Sequence, residues 1–429
     1  MPRRCAASLA AVMLVTALGA TAAVPMHTDP VVFNHELASI TADSNRDELT
    51  PDNCERGNPQ YLPDTPQAYE LLGIDRAKEL ATGEGVLVAV IDSGVDPRNA
   101  HLGAVVQAGH DFAGSGDGRI DVEGHGTAVA GIIAAQPVEG SGLIGVAHDA
   151  KILPVRVYEA SERLEPGKDP VMPNLAMTSQ GIRWAADHGA KIIAVALSSS
   201  TDDPELAAAV QYATGRGALV VASAGNRQTA AEDDRDDSIR YPAGYDEVLS
   251  VTSISDRGEP TDAAIHGVHV GVAAPGQNVP VSWFNDGDCR VSPEYPSTSF
   301  ATAYAAGIAA LVASAHPDES PAMWKWRLES TALRASPSNR EDLLGWGVLA
   351  PYDAIAVTPD AQRPGPLLPG GQRPAPPAQA GQLPPRPEDD PLAMRAAVGT
   401  VITGAGALGA ALLWLRARRQ QAGAQAARR

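Results

Sequence analysis

Gly85-Val86-Leu87-Val88-Ala89-Val90-Ile91-Asp92 decides the fold: an unbroken apolar run of strand length, bounded by a glycine and ended by a carboxylate. A run with no polar alternation reads as a strand buried on both faces, the habit of parallel sheets. Four more runs repeat the pattern, at Lys151 to Val157, Lys191 to Leu197, Ala218 to Ser223 and Val248 to Ile254. Helical periodicity lies between them, at His125 to Ala135, Met177 to His188 and Pro204 to Arg216. Strand and helix in alternation predict βαβ units and an α/β fold, a doubly wound parallel sheet with helices on both faces. Ligands of such sheets bind beyond the carboxyl ends of the strands.

Four short segments each set one reactive residue among small or apolar neighbours. Asp92 ends the first run before Ser93-Gly94, and His125 sits between Gly124 and Gly126 at the start of an apolar helix. Asn226 follows Ser223-Ala224-Gly225, and Ser299 lies in Thr298-Ser299-Phe300-Ala301, before a helix of small residues. Each has a plainer reading alone: Asp92 as a helix cap, Gly225-Asn226 as a turn, Thr298 or Ser299 as an N-cap. Together they supply a nucleophile, a base, a group to orient that base and an amide donor. A serine hydroxyl is a poor nucleophile at its own pKa and needs a base held in place by a third group. The oxyanion formed when it attacks a carbonyl needs preorganised donors. The Asn226 amide and the Ser299 N–H are the candidates, the latter at a helix N-terminus where negative charge is favoured.

The two ends of the 429-residue chain differ from its middle. Arg3 and Arg4 precede an apolar run from Cys5 to Ala23 with a small-x-small site at Ala20-Thr21-Ala22, so residues 1–22 read as a signal peptide. Ala396 to Leu415 is uncharged and apolar, long enough for a ~30 Å hydrocarbon core at ~1.5 Å per residue. Residues 392–415 are the expected transmembrane helix. Residues 416–429 carry Arg416, Arg418, Arg419, Arg428 and Arg429 with no acid, as expected of a cytoplasmic tail. Residues 357–391 read as a Pro-rich extended spacer, with 11 prolines from Pro359 to Pro391. The expected protein is exported, single-pass and outward-facing.

The formal charge of −18 becomes −25 once Arg3, Arg4 and the five tail arginines are set aside. So acidic an exposed part argues against nucleic-acid partners and against anionic surfaces. Loss of Cys5 with the signal peptide leaves Cys54 and Cys289, an even pair in an oxidising compartment. A disulfide between them is expected, tying an N-terminal extension (23–66) to the body. Two cysteines without a matching histidine pattern make no zinc site, and no metal or cofactor is implied.

The order Asp, His, Asn, Ser resembles the subtilisin family of serine endopeptidases. The resemblance runs from about Ala68 to Ala356 and takes in Gly145-Val146-Ala147, Tyr241-Pro242-Ala243, Ala274-Pro275-Gly276 and Gly345-Trp346-Gly347-Val348. It implies a peptidase domain over 67–356 that cleaves protein substrates through an acyl-enzyme. Ser299 would be the nucleophile, His125 the base, Asp92 its orienter and Asn226 an oxyanion donor, with Ala196, Leu197 and Ser198 pairing with substrate. With its two ends the layout looks like the mycosins, membrane-anchored subtilisin-like proteases associated with type VII secretion. That implies a cell-envelope protease with secretion-complex components as partners. The alternative, from another class, is a structural subunit of such a complex whose chemistry is little used. Three residues depart from the family pattern. Ser297 stands where Gly is usual, at a cost of ~1 kcal/mol if the position needs positive φ. Ala303 replaces a usual Pro, and Ser198 replaces a Gly and is expected to narrow the cleft.

Overall fold

A run buried on both faces must have neighbours on both edges and layers above and below, and β1 (Leu87–Asp92) has them. The computed structural model describes residues 54, 56–160, 169–227, 230, 235–371 and 406–420. β1 is joined by β2 (His110–Asp111), β3 (Lys151–Arg156), β4 (Ile192–Val195), β5 (Leu219–Ser223), β6 (Leu249–Ile254) and β7 (Val272–Pro275). All pair in parallel, in the order 2-3-1-4-5-6-7. The chain leaves β1 toward β3 and returns past it to β4, so the winding reverses at β1, where a ligand crevice belongs. Asp92 is the last residue of that strand.

Alternation along the strands separates two cores. Val88 and Val90 of β1 face the cluster that includes α3 (His125–Ala134) and α6 (Thr298–Ala315). Ala89 and Ile91 face α4 (Leu175–Asp187) and α5 (Pro204–Gly215). Each fully buried Val, Leu or Ile side chain stabilises the fold by ~1.5–3 kcal/mol. These elements match the sequence expectation to within two residues at most ends. The short α1 (Gln67–Leu72), α2 (Ile74–Lys78) and α8 (Pro351–Ala356) complete the first layer with α7 (Pro321–Thr331). An antiparallel hairpin, β8 (Val279–Ser282) and β9 (Asp288–Val291), packs against α3.

α6 is the central helix, and its small residues permit that. A Cβ added at Gly307 would lie 2.7 Å from Val146 Cβ, so the helix sits closer to its neighbour than a larger residue allows. Among the described residues α6 is also the helix long and apolar enough to cross a membrane, but it is 89% buried and belongs to the core. Residues 406–420 form an exposed helix that continues beyond Leu415 through Arg416, Arg418 and Arg419. They cover only part of the expected span (392–415), and no membrane-crossing helix is established there. Residues 357–371 hydrogen-bond to α7 and the turn after it: Trp326 Nε1 donates to Pro366 O (3.2 Å), and Arg363 Nε to Ser330 O (3.3 Å). The expected signal peptide, residues 23–53 of the extension, the spacer beyond 371 and the tail beyond 420 lie outside the described residues.

Candidate active site

Asp92 is fully buried at the carboxyl end of β1, and three groups donate to its Oδ1. They are His125 Nδ1 (2.8 Å), Ser93 N (2.8 Å) and the Tyr158 hydroxyl (2.9 Å). The approach of α3 to β1 depends on Gly126, where a Cβ would lie 2.0 Å from Gly94 O. His125 remains 22% exposed and opens α3. Burial opposes its protonation, yet the Asp92 charge and hydrogen bond, joined by Glu123 and Asp121, lift its pKa to about 9. A neutral His125 with its proton on Nδ1 keeps Nε2 as the basic nitrogen.

Sequence reasoning missed Asp121. Gly124, the N-cap of α3, has φ +91° and no side chain to satisfy the first N–H groups. Asp121 does so from upstream: Oδ1 accepts from Gly124 N (2.7 Å) and the Ser93 hydroxyl (2.9 Å), and Oδ2 from Thr127 N (2.9 Å) and Oγ1 (2.6 Å). Burial raises its pKa against these bonds. The available signal was a helix start without a capping residue, four positions after an aspartate. Tyr158 was missed too. Burial, then the nearby Asp92 charge, keeps its phenol protonated as a donor.

Ser299 is the second residue of α6 and 8% exposed. Its hydroxyl donates to Ala196 O (3.0 Å), just beyond β4, and no hydrogen bond joins it to His125. The His125 ring lies beside Phe300, with centroids 5.7 Å apart. Ser297 is the N-cap of α6 at φ −106° and ψ 129°, and its side chain accepts from Ser299 N (3.3 Å). The expected backbone cost of a side chain there does not arise, because this φ is ordinary extended backbone. Asn226 stands three residues beyond β5. Its Oδ1 accepts both Thr298 N (2.8 Å) and Thr298 Oγ1 (2.9 Å). The Thr298 N–H can only donate, so it fixes the amide oxygen inward and leaves Nδ2 facing the other way.

Ala196 is buried, Leu197 half-buried and Ser198 exposed. Leu197 and Ser198 line a pocket of about 190 Å³ with Leu175, Leu206 and Tyr241. Cys54 and Cys289 form a disulfide with Cα atoms 5.8 Å apart. From it the extension follows the hairpin, with Asp288 N donating to Gln60 O (2.7 Å) and Leu62 N to Asp288 Oδ2 (2.9 Å). The Arg56 guanidinium lies 3.6 Å from the Phe284 ring centre, and that ring abuts Gly124. The extension is therefore one side chain removed from the His125 turn. Of the other histidines, His101 is fully buried, with Nε2 2.8 Å from Asp288 Oδ1 and Nδ1 2.6 Å from Gln136 O.

Residues 83–347 match the profile of the peptidase S8, or subtilase, family. The chain is a subtilase. It is similar to Mycosin-1 of Mycobacterium tuberculosis, 33% identical over 419 residues, covering 83% of this chain and 91% of that protein. Thermitase of Thermoactinomyces vulgaris is 33% identical over 266 residues, 62% of this chain and 86% of that one. Among solved structures, MycP1 from the ESX-1 type VII secretion system superposes with a TM-score of 0.61 at 28% identity, over 77% of this chain and 91% of that one. These relatives make this subtilase a mycosin-type serine endopeptidase.

Proposed function

We propose that this subtilase is a membrane-anchored, extracytoplasmic endopeptidase acting through Asp92, His125 and Ser299. Ser299 attacks the scissile carbonyl, and His125 takes its proton at Nε2 and later delivers it to the leaving amine. Asp92 holds the ring in the productive tautomer and stabilises the imidazolium. Asn226 Nδ2 and Ser299 N–H stabilise the oxyanion. The 2.8 Å bond from His125 Nδ1 to a buried carboxylate carries this reading. In the resting site the Ser299 hydroxyl is turned to Ala196 O, and rotation about its χ1 is required before attack. Catalytic hydrogen bonds often form only with substrate in place. The substrate is a protein segment laid along Ala196, Leu197 and Ser198. Anchoring by residues 392–415 and association with a type VII secretion complex rest on the apolar, Arg-flanked C-terminus and on the mycosin likeness.

One observation favours a second reading, a secretion-complex subunit with little-used chemistry: both the hydroxyl and the N–H of Ser299 are engaged internally. Labelling by an active-site-directed fluorophosphonate decides between them. The endopeptidase reading expects stoichiometric modification at Ser299, and Ser299→Ala lowers turnover by about 10⁶, as loss of the nucleophile does in subtilisin. An unlabelled Ser299 in folded protein, or a Ser299→Ala variant that cleaves peptides at the parent rate, overturns it.

A further inference from the structure

Three donors converge on one oxygen of Asp92. His125 Nδ1 (2.8 Å), Ser93 N (2.8 Å) and the Tyr158 hydroxyl (2.9 Å) all bond Oδ1. Oδ2 is buried and has no hydrogen-bond partner among the described residues. A carboxylate oxygen has room for about two donors at its lone pairs, so the three divide what Oδ1 can give. Two of them come with the site: Ser93 follows Asp92 in the chain, and His125 is the group that Asp92 holds. Tyr158 comes from elsewhere, two residues past the end of β3. β3 pairs with β1 in the register Asp92 to Arg156, and Val157 N donates to Asp92 O (2.9 Å). The sheet itself therefore carries the next side chain to the Asp92 carboxylate. Tyr158 is 2% exposed, and burial with the Asp92 charge keeps its phenol protonated. Beside an ionised carboxylate, which only accepts, that hydroxyl is a fixed donor.

We propose that Tyr158 is a positioning residue for the peptidase reaction: its hydroxyl steadies the Asp92 carboxylate, draws on the oxygen that His125 Nδ1 uses, and so sets how readily His125 becomes a free base. This deepens the roles given above to Asp92 and His125 and rests on them. The sign follows from charge. With His125 neutral, the His125–Asp92 pair carries one negative charge, and with the ring protonated it carries none. A donor aimed at the carboxylate stabilises the charged pair more, and so favours the deprotonated base. The carboxylates around the ring act the other way, since Asp92, Glu123 and Asp121 all favour its proton. Arg156 Nε donates to Ser93 O (3.2 Å), and its Nη1 donates to Asp111 Oδ2 (3.0 Å), so that cation is committed to another carboxylate. From α6 the ring meets Phe300, which carries no charge. Tyr158 is thus a neutral counterweight on a base whose pKa stands at about 9.

The test is Tyr158→Phe in the full-length protein, with its fold checked by circular dichroism. Two titrations are read: kcat/KM on a fluorogenic peptide against pH, and the His125 ring by NMR of isotope-labelled histidine, assigned with His125→Ala. Both midpoints are expected to rise by about 0.5–1 pH unit, the effect of removing one donor from a carboxylate. Well below the parent midpoint, kcat/KM is then about 3–10-fold lower, and the gap narrows as pH rises. A tyrosine that only fills space would alter stability and leave both midpoints in place. Unmoved midpoints in folded Tyr158→Phe, or midpoints that fall, therefore overturn the proposal. Should Tyr158→Phe fail to fold, site-specific replacement of Tyr158 by monofluorotyrosine keeps the packing and makes the phenol a stronger donor. Both midpoints are then expected to fall, and midpoints that stay or rise overturn the proposal. If Ser299 is labelled by fluorophosphonate and the midpoints do not move, only this proposal fails. If Ser299 is unlabelled and nothing is cleaved, the protease reading fails and takes the proposal with it.

Discussion

The two halves of the candidate site are built differently. On the β1–α3 side, two buried carboxylates organise everything: Asp92 gathers His125, Ser93 and Tyr158, while Asp121 gathers the turn that carries His125. On the β5–α6 side the bonds are neutral: Thr298 to Asn226, the Ser299 hydroxyl to a backbone carbonyl, the Ser299 N–H to Ser297. Charge-assisted hydrogen bonds are roughly twice as strong as neutral ones. The half that holds His125, the proposed base, is therefore the more firmly fixed. The half that holds Ser299, the proposed nucleophile, rests in weaker contacts that a substrate would have to replace.

Breaking the charged half should cost most. Asp92→Asn is expected to lower kcat by about 10⁴, the loss seen when the triad carboxylate of a trypsin-type site is neutralised. The same variant should reshape the pH profile. In the parent, a base with pKa about 9 is protonated below that pH, so kcat/KM climbs as pH rises toward 9. Without the Asp92 charge the climb moves to lower pH. Stability has the opposite sense: a raised histidine pKa stabilises the fold fully below its ordinary 6.5 and ceases to do so as pH rises through about 9. A parent profile with its midpoint near 6.5, unmoved in Asp92→Asn, would show the two groups uncoupled.

On the neutral side the effects shrink. Asn226→Ala is expected to reduce kcat by about 10²–10³ with KM little changed, because its donor acts on charge present only in the transition state. A matching rise in KM would instead mark it as a substrate-binding residue. Ser297→Gly should give the smallest change, a severalfold gain in kcat, as the Ser299 N–H loses its internal acceptor. The cap itself matters little, since Gly costs only a few tenths of a kcal/mol at that position. Turnover that stays level in the folded variant would mean that the N–H turns to the oxyanion unhindered.

Long apolar runs made the sheet legible. β1, β3, β4, β5 and β6 are each buried at nearly every position, so sequence and burial carry the same pattern. β7 and the β8–β9 hairpin were not read as strands, being four residues each, with Pro275 and Pro280 inside two of them. Asp92, His125, Asn226 and Ser299 stood out because each interrupts an apolar or glycine-rich context. Asp121 did not, since it lies in a loop where charged residues are expected to be solvated. Only the fold buries it. Ser297 was legible as a departure from the family but not in its effect, because a local backbone angle and one hydrogen bond decide that effect.

The bridge from Cys54 to Cys289 closes a ring of chain that contains Asp92, His125 and Asn226 and stops ten residues short of Ser299. A single backbone cut anywhere within that ring releases nothing, because both pieces remain one covalent molecule. For a protease, whose own loops are among the peptides it meets, an internal nick then yields a two-chain protein with His125 and Ser299 still tethered. Dissociation requires a second event, reduction of the bridge, and the two forms would separate only on a reducing gel.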